Sequence, residues 1–306
     1  MPRPPLPHNE IWQILLRLSQ ARNSKVVLLH TTSGVHSICE RIWLETYETI
    51  KDYSGIEKLD VVLSSYGGEL DSAYKISKLF RKKATELNII VPYMAKSAAT
   101  LIALGADKII LAPNAELGPL DAQVAHPRNP HSTMSALDGF KTLEFLRTYA
   151  LETMNLCVFY FRKRGLTPEE AMDRALALVD KICNPLLCQI DPIVMGANDR
   201  ILQIALDYGT RLLKDRLPNR EAQKLLDKII KGYPSHSFVI DNSELDSLCV
   251  LPHDESEPAI TSILNELYQK LLELEEHLIM YVDASAEETP SVETEPTNQQ
   301  ATEVST

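Results

Sequence analysis

The fold is decided by Val61-Val62-Leu63-Ser64-Ser65-Tyr66-Gly67-Gly68-Glu69-Leu70 and, nineteen residues on, Ile89-Ile90-Val91-Pro92-Tyr93-Met94-Ala95-Lys96-Ser97-Ala98-Ala99-Thr100-Leu101. Each is a β-branched apolar run that breaks at a turn and restarts with helical spacing. Continuous apolar strands of this kind are covered on both faces, as in parallel sheets whose crossovers are helices. A diglycine lets backbone approach a ligand closely and aim an N–H at it. A serine opening a buried helix sits at the positive end of the helix dipole, which favours developing negative charge. If the two turns lie side by side, the Gly68 and Ala98 amides can both point at an oxygen bonded next to Ser97 Oγ. That is an oxyanion hole beside a nucleophile, the arrangement acyl transfer requires.

Outward from this pair, strands and helices alternate. A strand is expected at Lys25 to His30 and another at Lys108 to Leu111. Helices are expected at 8–22, Ser37 to Tyr53, Glu69 to Leu87 and Ser97 to Gly105. Prolines 119, 127 and 130 predict a loop from Pro119 to Ser135 that could act as a substrate-facing lid. Ser135-Ala136-Leu137-Asp138 has capping-box form and starts a long helix toward Arg164. Thr167-Pro168-Glu169-Glu170, Asp191-Pro192 and Asn219 start three more. Leucines and isoleucines from Ile260 to Leu278 predict a last helix over Pro258 to Val282. The alternation argues an α/β architecture.

Four pieces in order resemble the serine dehydrogenase proteinase family of the Clp-protease/crotonase superfamily, relatives of signal peptide peptidase A. They are Ser65-Tyr66-Gly67-Gly68, Lys96-Ser97-Ala98-Ala99-Thr100, Leu104 to Ile109, and Leu117-Gly118-Pro119-Leu120-Asp121-Ala122-Gln123. Tyr66 stands where the family has proline, and Ala99 where it often has glycine. The resemblance implies a Clp/crotonase-type spiral of ββα units with a helical C-terminal extension. It divides the chain into an N-terminal helix or arm (1–23), a serine protease domain (24–242), a helical extension (243–282) and a disordered acidic tail (283–306). It also implies a homo-oligomer.

The same resemblance implies a serine-type peptidase with Ser97 as nucleophile, Gly68 and Ala98 as oxyanion donors, and Gly67 and Glu69 beside the bound peptide. Serine needs a base, because its hydroxyl is a weak nucleophile at neutral pH. In the signal-peptide-peptidase branch a lysine opens a helix some forty to fifty residues later, which points to Lys141. Burial and a helix N-terminus both lower a lysine's pKa. Lys96 is expected to point away from Ser97. His126 and His131 are second candidates. Asp121 is expected to order its turn, and His236, in Tyr233-Pro234-Ser235-His236, to serve as a structural hydrogen-bonder. An acyl-CoA enzyme of crotonase type, or an inactive scaffold of the same fold, are the alternatives.

Composition narrows the partners. A net charge of −11 argues against non-specific nucleic-acid binding, although six of the acids fall in 283–306. Five cysteines without paired spacing give neither a disulfide framework nor a zinc site, so no metal or other cofactor is expected. The proline-rich start lacks the apolar segment of a signal peptide, and no apolar run is long enough to span a bilayer. A cytoplasmic enzyme acting on peptides or proteins is the resulting expectation.

Overall fold

The computed structural model describes residues 6–126, 129–248 and 253–284. The expected acidic tail from residue 285 onward lies outside the described residues. In chain order the elements are α1 (Leu6–Arg22), β1 (Lys25–Thr31), α2 (Glu40–Ile50), β2 (Ile56–Ser65), α3 (Leu70–Lys83), β3 (Ala84–Val91), β4 (Met94–Ala95) and α4 (Ala98–Leu104). There follow β5 (Lys108–Leu111), β6 (Glu116–Leu117), β7 (Gln123–His126), β8 (Asn129–Ser135), α5 (Asp138–Lys163), α6 (Pro168–Leu187) and α7 (Pro192–Leu213). The chain ends with α8 (Asn219–Lys231), α9 (Asn242–Leu248), β9 (His253–Glu255), α10 (Pro258–Leu271) and β10 (Leu278–Val282).

The main sheet runs β10-β1-β2-β3-β5-β9. It is parallel throughout except for the antiparallel β10 edge. The apolar runs read from the sequence are its middle: Val26 to Leu29, Val61 to Leu63 and Ile89 to Val91 are fully buried. Below this sheet a short limb branches off. β4 pairs with the last residue of β2, Ser65 against Ala95, and β6 pairs with β4. The sheet therefore curls, and each strand pair hands over to a helix: a ClpP-like α/β fold with a helical C-terminal region. The curl places the two diagnostic turns at adjoining strand ends, because β4 leads into Ser97 while β2 leads into Gly67.

Four local expectations are revised. The loop at Pro119 to Ser135 is instead a ribbon of β7 against β8, pairing Gln123 with Ser135 and Val124 with Met134. A two-stranded ribbon has two free edges, so a proline missing its N–H is tolerated there, and Pro130 sits at the irregular end of the ladder. The final helix stops at Leu271. Leu278–Val282 pairs with β1, with Met280 and Val282 buried in alternation. An apolar edge strand such as β1 needs a partner, and this β-branched and aromatic segment supplies it. Helix α3 ends at Lys83 and β3 begins immediately at Ala84. Helix α9 was not foreseen.

Helix α5 begins at Asp138, where the Ser135 N–H donates to the Asp138 carboxylate and Ser135 Oγ accepts from Leu137 N–H. The Thr167–Glu170 capping box at α6 is complete in both directions. The α6 start succeeds because a side chain satisfies amides that the first helical turn leaves unpaired, whereas at α5 the Ser135–Asp138 bonds brace the turn before the helix and no side chain caps it.

Candidate active site

Ser97 precedes α4 with φ 51° and ψ −121°, and is one of two non-glycine residues with positive φ among the described residues, Asn23 being the other. That backbone is unfavourable for a residue with a Cβ by about 1–3 kcal/mol. Its surroundings hold it. Every residue from Ala98 to Leu104 is buried, and Thr100 Oγ1 lies within bonding distance of two carbonyls, Ala95 at 2.9 Å and Gly118 at 2.8 Å.

The diglycine turn abuts this elbow. A Cβ on Gly67, whose φ is +103°, would lie 2.7 Å from the Lys96 carbonyl oxygen and 2.9 Å from Ser97 Cβ. Gly68, with φ +149°, lies against Ile38, whose carbonyl oxygen a Cβ would approach to 2.1 Å. Ile38 N–H donates to the Gly67 carbonyl at 2.9 Å, and Glu69 N–H donates to the Ile38 carbonyl at 2.8 Å. Gly67 N–H is spent on Ser65 Oγ at 2.9 Å. Among the described residues, the Gly68 and Ala98 amides have no acceptor. Two free N–H groups at abutting turns are what an oxyanion site needs.

Ser97, Gly67, Gly68, Glu69 and Tyr66 line one cleft of about 830 Å³, and so does His236. The turn between Leu117 and Asp121 is fastened to the segment carrying His236. Leu117 and Ile240 exchange backbone hydrogen bonds, and Leu120 N–H donates to the Ile229 carbonyl at 2.9 Å. Tyr233 is packed on Phe238 and donates to Glu244 Oε1 at 2.7 Å, and burial together with that bond raises its pKa. These anchors bring His236 Nδ1 to 2.6 Å from Oδ1 of buried Asp121. Among the described residues, His236 Nε2 has no partner. A carboxylate holding one ring nitrogen fixes the tautomer and leaves the other nitrogen to work.

The remaining expected residues are placed as follows. Lys141 lies in the first turn of α5, with its side chain 61% exposed and its ammonium 3.6 Å from Glu144. It lines a neighbouring cavity of about 650 Å³, which shares Gln123, Thr133 and His236 with the Ser97 cleft. Lys96 lies over Gly118, with its ammonium 2.5 Å from Glu116 Oε1. The contact is an ion pair. The side chain thus follows β6. Glu69 accepts from Ser72 Oγ at 2.9 Å. The side chains of His126 and His131 lie outside the described residues. The Asp121–His236 contact was not derivable from spacing, since 115 residues separate the partners. The available signal was that both lie in motif-like turns ending in a polar residue.

No cluster of metal-ligating side chains occurs among the described residues. Nor is any described helix long and apolar enough to cross a membrane.

A curled parallel sheet with a strained serine elbow beside a diglycine defines a ClpP-like fold. The sequence comparisons place it further. Residues 13–140 match the model of the ClpP-like SDH-type serine proteinase family. Two uncharacterized proteins of Methanocaldococcus jannaschii are similar. One is 27% identical over 269 residues, covering 84% of this chain and 78% of its own length. The other is 25% identical over 190 residues, covering 62% of this chain and half of its own length.

Proposed function

We propose that this protein is a serine peptidase in which Ser97 is the nucleophile, the Gly68 and Ala98 amides form the oxyanion hole, and His236 is the base oriented by Asp121. The observation that carries this reading is a single cleft holding both the strained elbow serine and the Asp121-bound imidazole. His236 Nε2 takes the Ser97 hydroxyl proton as Oγ bonds to the peptide carbonyl carbon. The carbonyl oxygen becomes an oxyanion between the two amides. Collapse breaks the C–N bond, and the imidazolium returns its proton to the leaving amine. Water, activated by the same nitrogen, then releases the acyl group. Gly67 and Glu69 border the bound peptide, which is extended and adds alongside the 67–69 segment.

A second reading keeps Lys141 as the base. Its support is the position of Lys141 on the adjoining cavity, with Gln123, Thr133 and His236 common to both. A homo-oligomer belongs to either reading, and its support is the exposed apolar face of α5, including Phe145, Leu156 and Phe159.

A fluorophosphonate probe followed by peptide mapping tests the assignment. Wild type is labelled on Ser97 and Ser97→Ala is not. His236→Gln lowers peptide turnover by about 10³-fold or more, while Lys141→Met stays within about threefold. The reverse ranking of these two variants establishes the lysine base. Absence of labelling in wild type removes the peptidase reading altogether.

A further inference from the structure

A third cavity, about 380 Å³, lies at the carboxyl ends of β1 and β2. It shares Ser33 and Tyr66 with the Ser97 cleft, so Tyr66 is the wall between the two. Parallel sheets bind ligands at such strand ends. The strand register sets His30 beside Ser64 and Thr31 beside Ser65. Ser64 Oγ lies 3.2 Å from His30 Nδ1. Thr31 Oγ1 lies 2.6 Å from Ser65 Oγ, the oxygen that accepts the Gly67 amide. One line of hydroxyls therefore joins this cavity to the turn carrying the oxyanion donor.

One lining residue, His30, carries an unspent group. His30 is 7% exposed, and its Nε2 is buried with no hydrogen-bond partner. A buried polar atom without a partner is a standing cost to the fold, and a ligand atom that bonds it recovers the loss. Burial, and secondarily the nearby His277, lower the His30 pKa to about 4, so the imidazole is neutral near pH 7. Uncharged hydroxyls of Thr31, Thr32, Ser33, Ser64 and Ser65 line one part of the cavity. An apolar and aromatic wall lines the other: Met94, Leu271, Leu274 and the stacked pair Tyr93 and Tyr268, with centroids 4.4 Å apart. Glu275 lies at the mouth, where Thr32 Oγ1 donates to its carbonyl at 3.2 Å.

We propose that this cavity is a substrate subsite, on the far side of Tyr66 from Ser97, that accepts a peptide side chain with an apolar or aromatic body and an uncharged hydrogen-bonding tip, which His30 Nε2 reads. The inference rests on the peptidase reading. Charged tips are excluded by the lining. A carboxylate meets Glu275 at the entrance and finds no cation inside. An ammonium loses its water to an interior without an anion, and burying an unpaired charge costs far more than one hydrogen bond returns. Glutamine and tyrosine fit this chemistry. Methionine and phenylalanine, their apolar counterparts, leave Nε2 unpaired.

The test uses a positional-scanning fluorogenic peptide library, with 4-nitrophenyl acetate as a substrate too small to reach the subsite. At one library position, glutamine exceeds methionine and tyrosine exceeds phenylalanine by about tenfold in kcat/KM, the worth of one hydrogen bond. Leu272→Trp, at a 60% exposed position on the cavity rim, reduces both ratios to within twofold and leaves acetate hydrolysis unchanged. His30→Leu likewise reduces both ratios where it folds. Equal rates within each pair, or ratios that survive Leu272→Trp, overturn the subsite. A separate arm needs no turnover. N-acetyl-tyrosine amide is titrated into histidine-labelled Ser97→Ala protein. It shifts the His30 Nε2 nitrogen resonance, and Leu272→Trp abolishes that shift. No shift refutes the pocket even if fluorophosphonate labels Ser97; a shift without labelling would leave the pocket standing while the peptidase reading falls.

Discussion

The region from β2 to β6 and the α5–α6 hairpin are opposites in how they use apolar residues. Between Val61 and Leu63, Ile89 and Val91, and Ala98 and Leu104, every side chain is buried. In α5, 26 residues long, only Leu146 is, while Phe145, Leu156 and Phe159 are each more than 60% exposed. Helix α5 extends about 39 Å at 1.5 Å per residue, packed chiefly on α6. The same apolar spacing therefore marks two situations. In the first the partners are in the chain and fix geometry to fractions of an ångström. In the second the chain supplies few partners and tolerance is wide.

The sharpest way to break the contrast is Gly68→Ala. Its new Cβ would overlap the Ile38 carbonyl, and φ +149° is hostile to any side chain. We expect a loss of about 4 kcal/mol of stability, from strain and overpacking together. Urea unfolding reads it, and an unchanged midpoint would show that the Ile38 clamp is not rigid. Next comes a matched truncation. Leu63→Ala, in the fully buried strand, should cost about 2–5 kcal/mol. Leu156→Ala, on the α5–α6 hairpin that serves as an outer arm, should cost under about 0.5 kcal/mol in dilute monomer. Similar costs for both would mean that the arm is packed as a core.

A titration sharpens the contrast further, because the strand β1 that pairs with β2 holds a buried, neutral histidine whereas α5 and α6 hold no histidine. His30 has its folded pKa lowered to about 4 from 6.5. Between those values the unfolded chain binds more protons than the native one. Its contribution is therefore complete above pH 6.5 and is lost as pH falls through that window to about 4. The loss approaches about 3 kcal/mol, at 1.36 kcal/mol per pKa unit. In urea melts from pH 7.5 to 4.5, wild type should lose more than His30→Gln. Parallel loss in both proteins would place the proton elsewhere.

Much of the buried region was legible because its signals are local. A β-branched run, a diglycine and a serine before a helix each fix their neighbours within a few residues. The strand at Lys108–Leu111 and the Thr167 and Asp191 caps were readable for the same reason. What was not legible depends on partners distant in sequence. Leu278–Val282 continues a helical apolar pattern, and only the unpaired edge of β1, some 250 residues earlier, makes it a strand. The ribbon at 123–135 looked forbidden because prolines veto a central strand, yet they permit an edge. Asp121 and His236 each read as a turn residue, and their meeting depends on how the 117–121 turn docks on α8 and Ile240.

The smallest effect expected has the opposite sign. Gly139 is the second residue of α5, without positive φ. A Cβ there would meet only the Met195 side chain, at 3.6 Å or more, an ordinary contact. Glycine in a helix is about 0.5–1 kcal/mol worse than alanine, chiefly through the freedom it keeps when unfolded. Gly139→Ala should therefore stabilise the protein by about 0.5 kcal/mol, raising the urea midpoint without altering the slope. Set beside Gly68→Ala, it is the same chemical change with the reverse outcome. Glycine at 68 is required by a carbonyl pressed against it, whereas at 139 nothing in the arm demands it. Destabilisation at 139 would mean that the start of α5 is as tightly enclosed as the elbow, and the division between the two regions would have to be redrawn at Lys141.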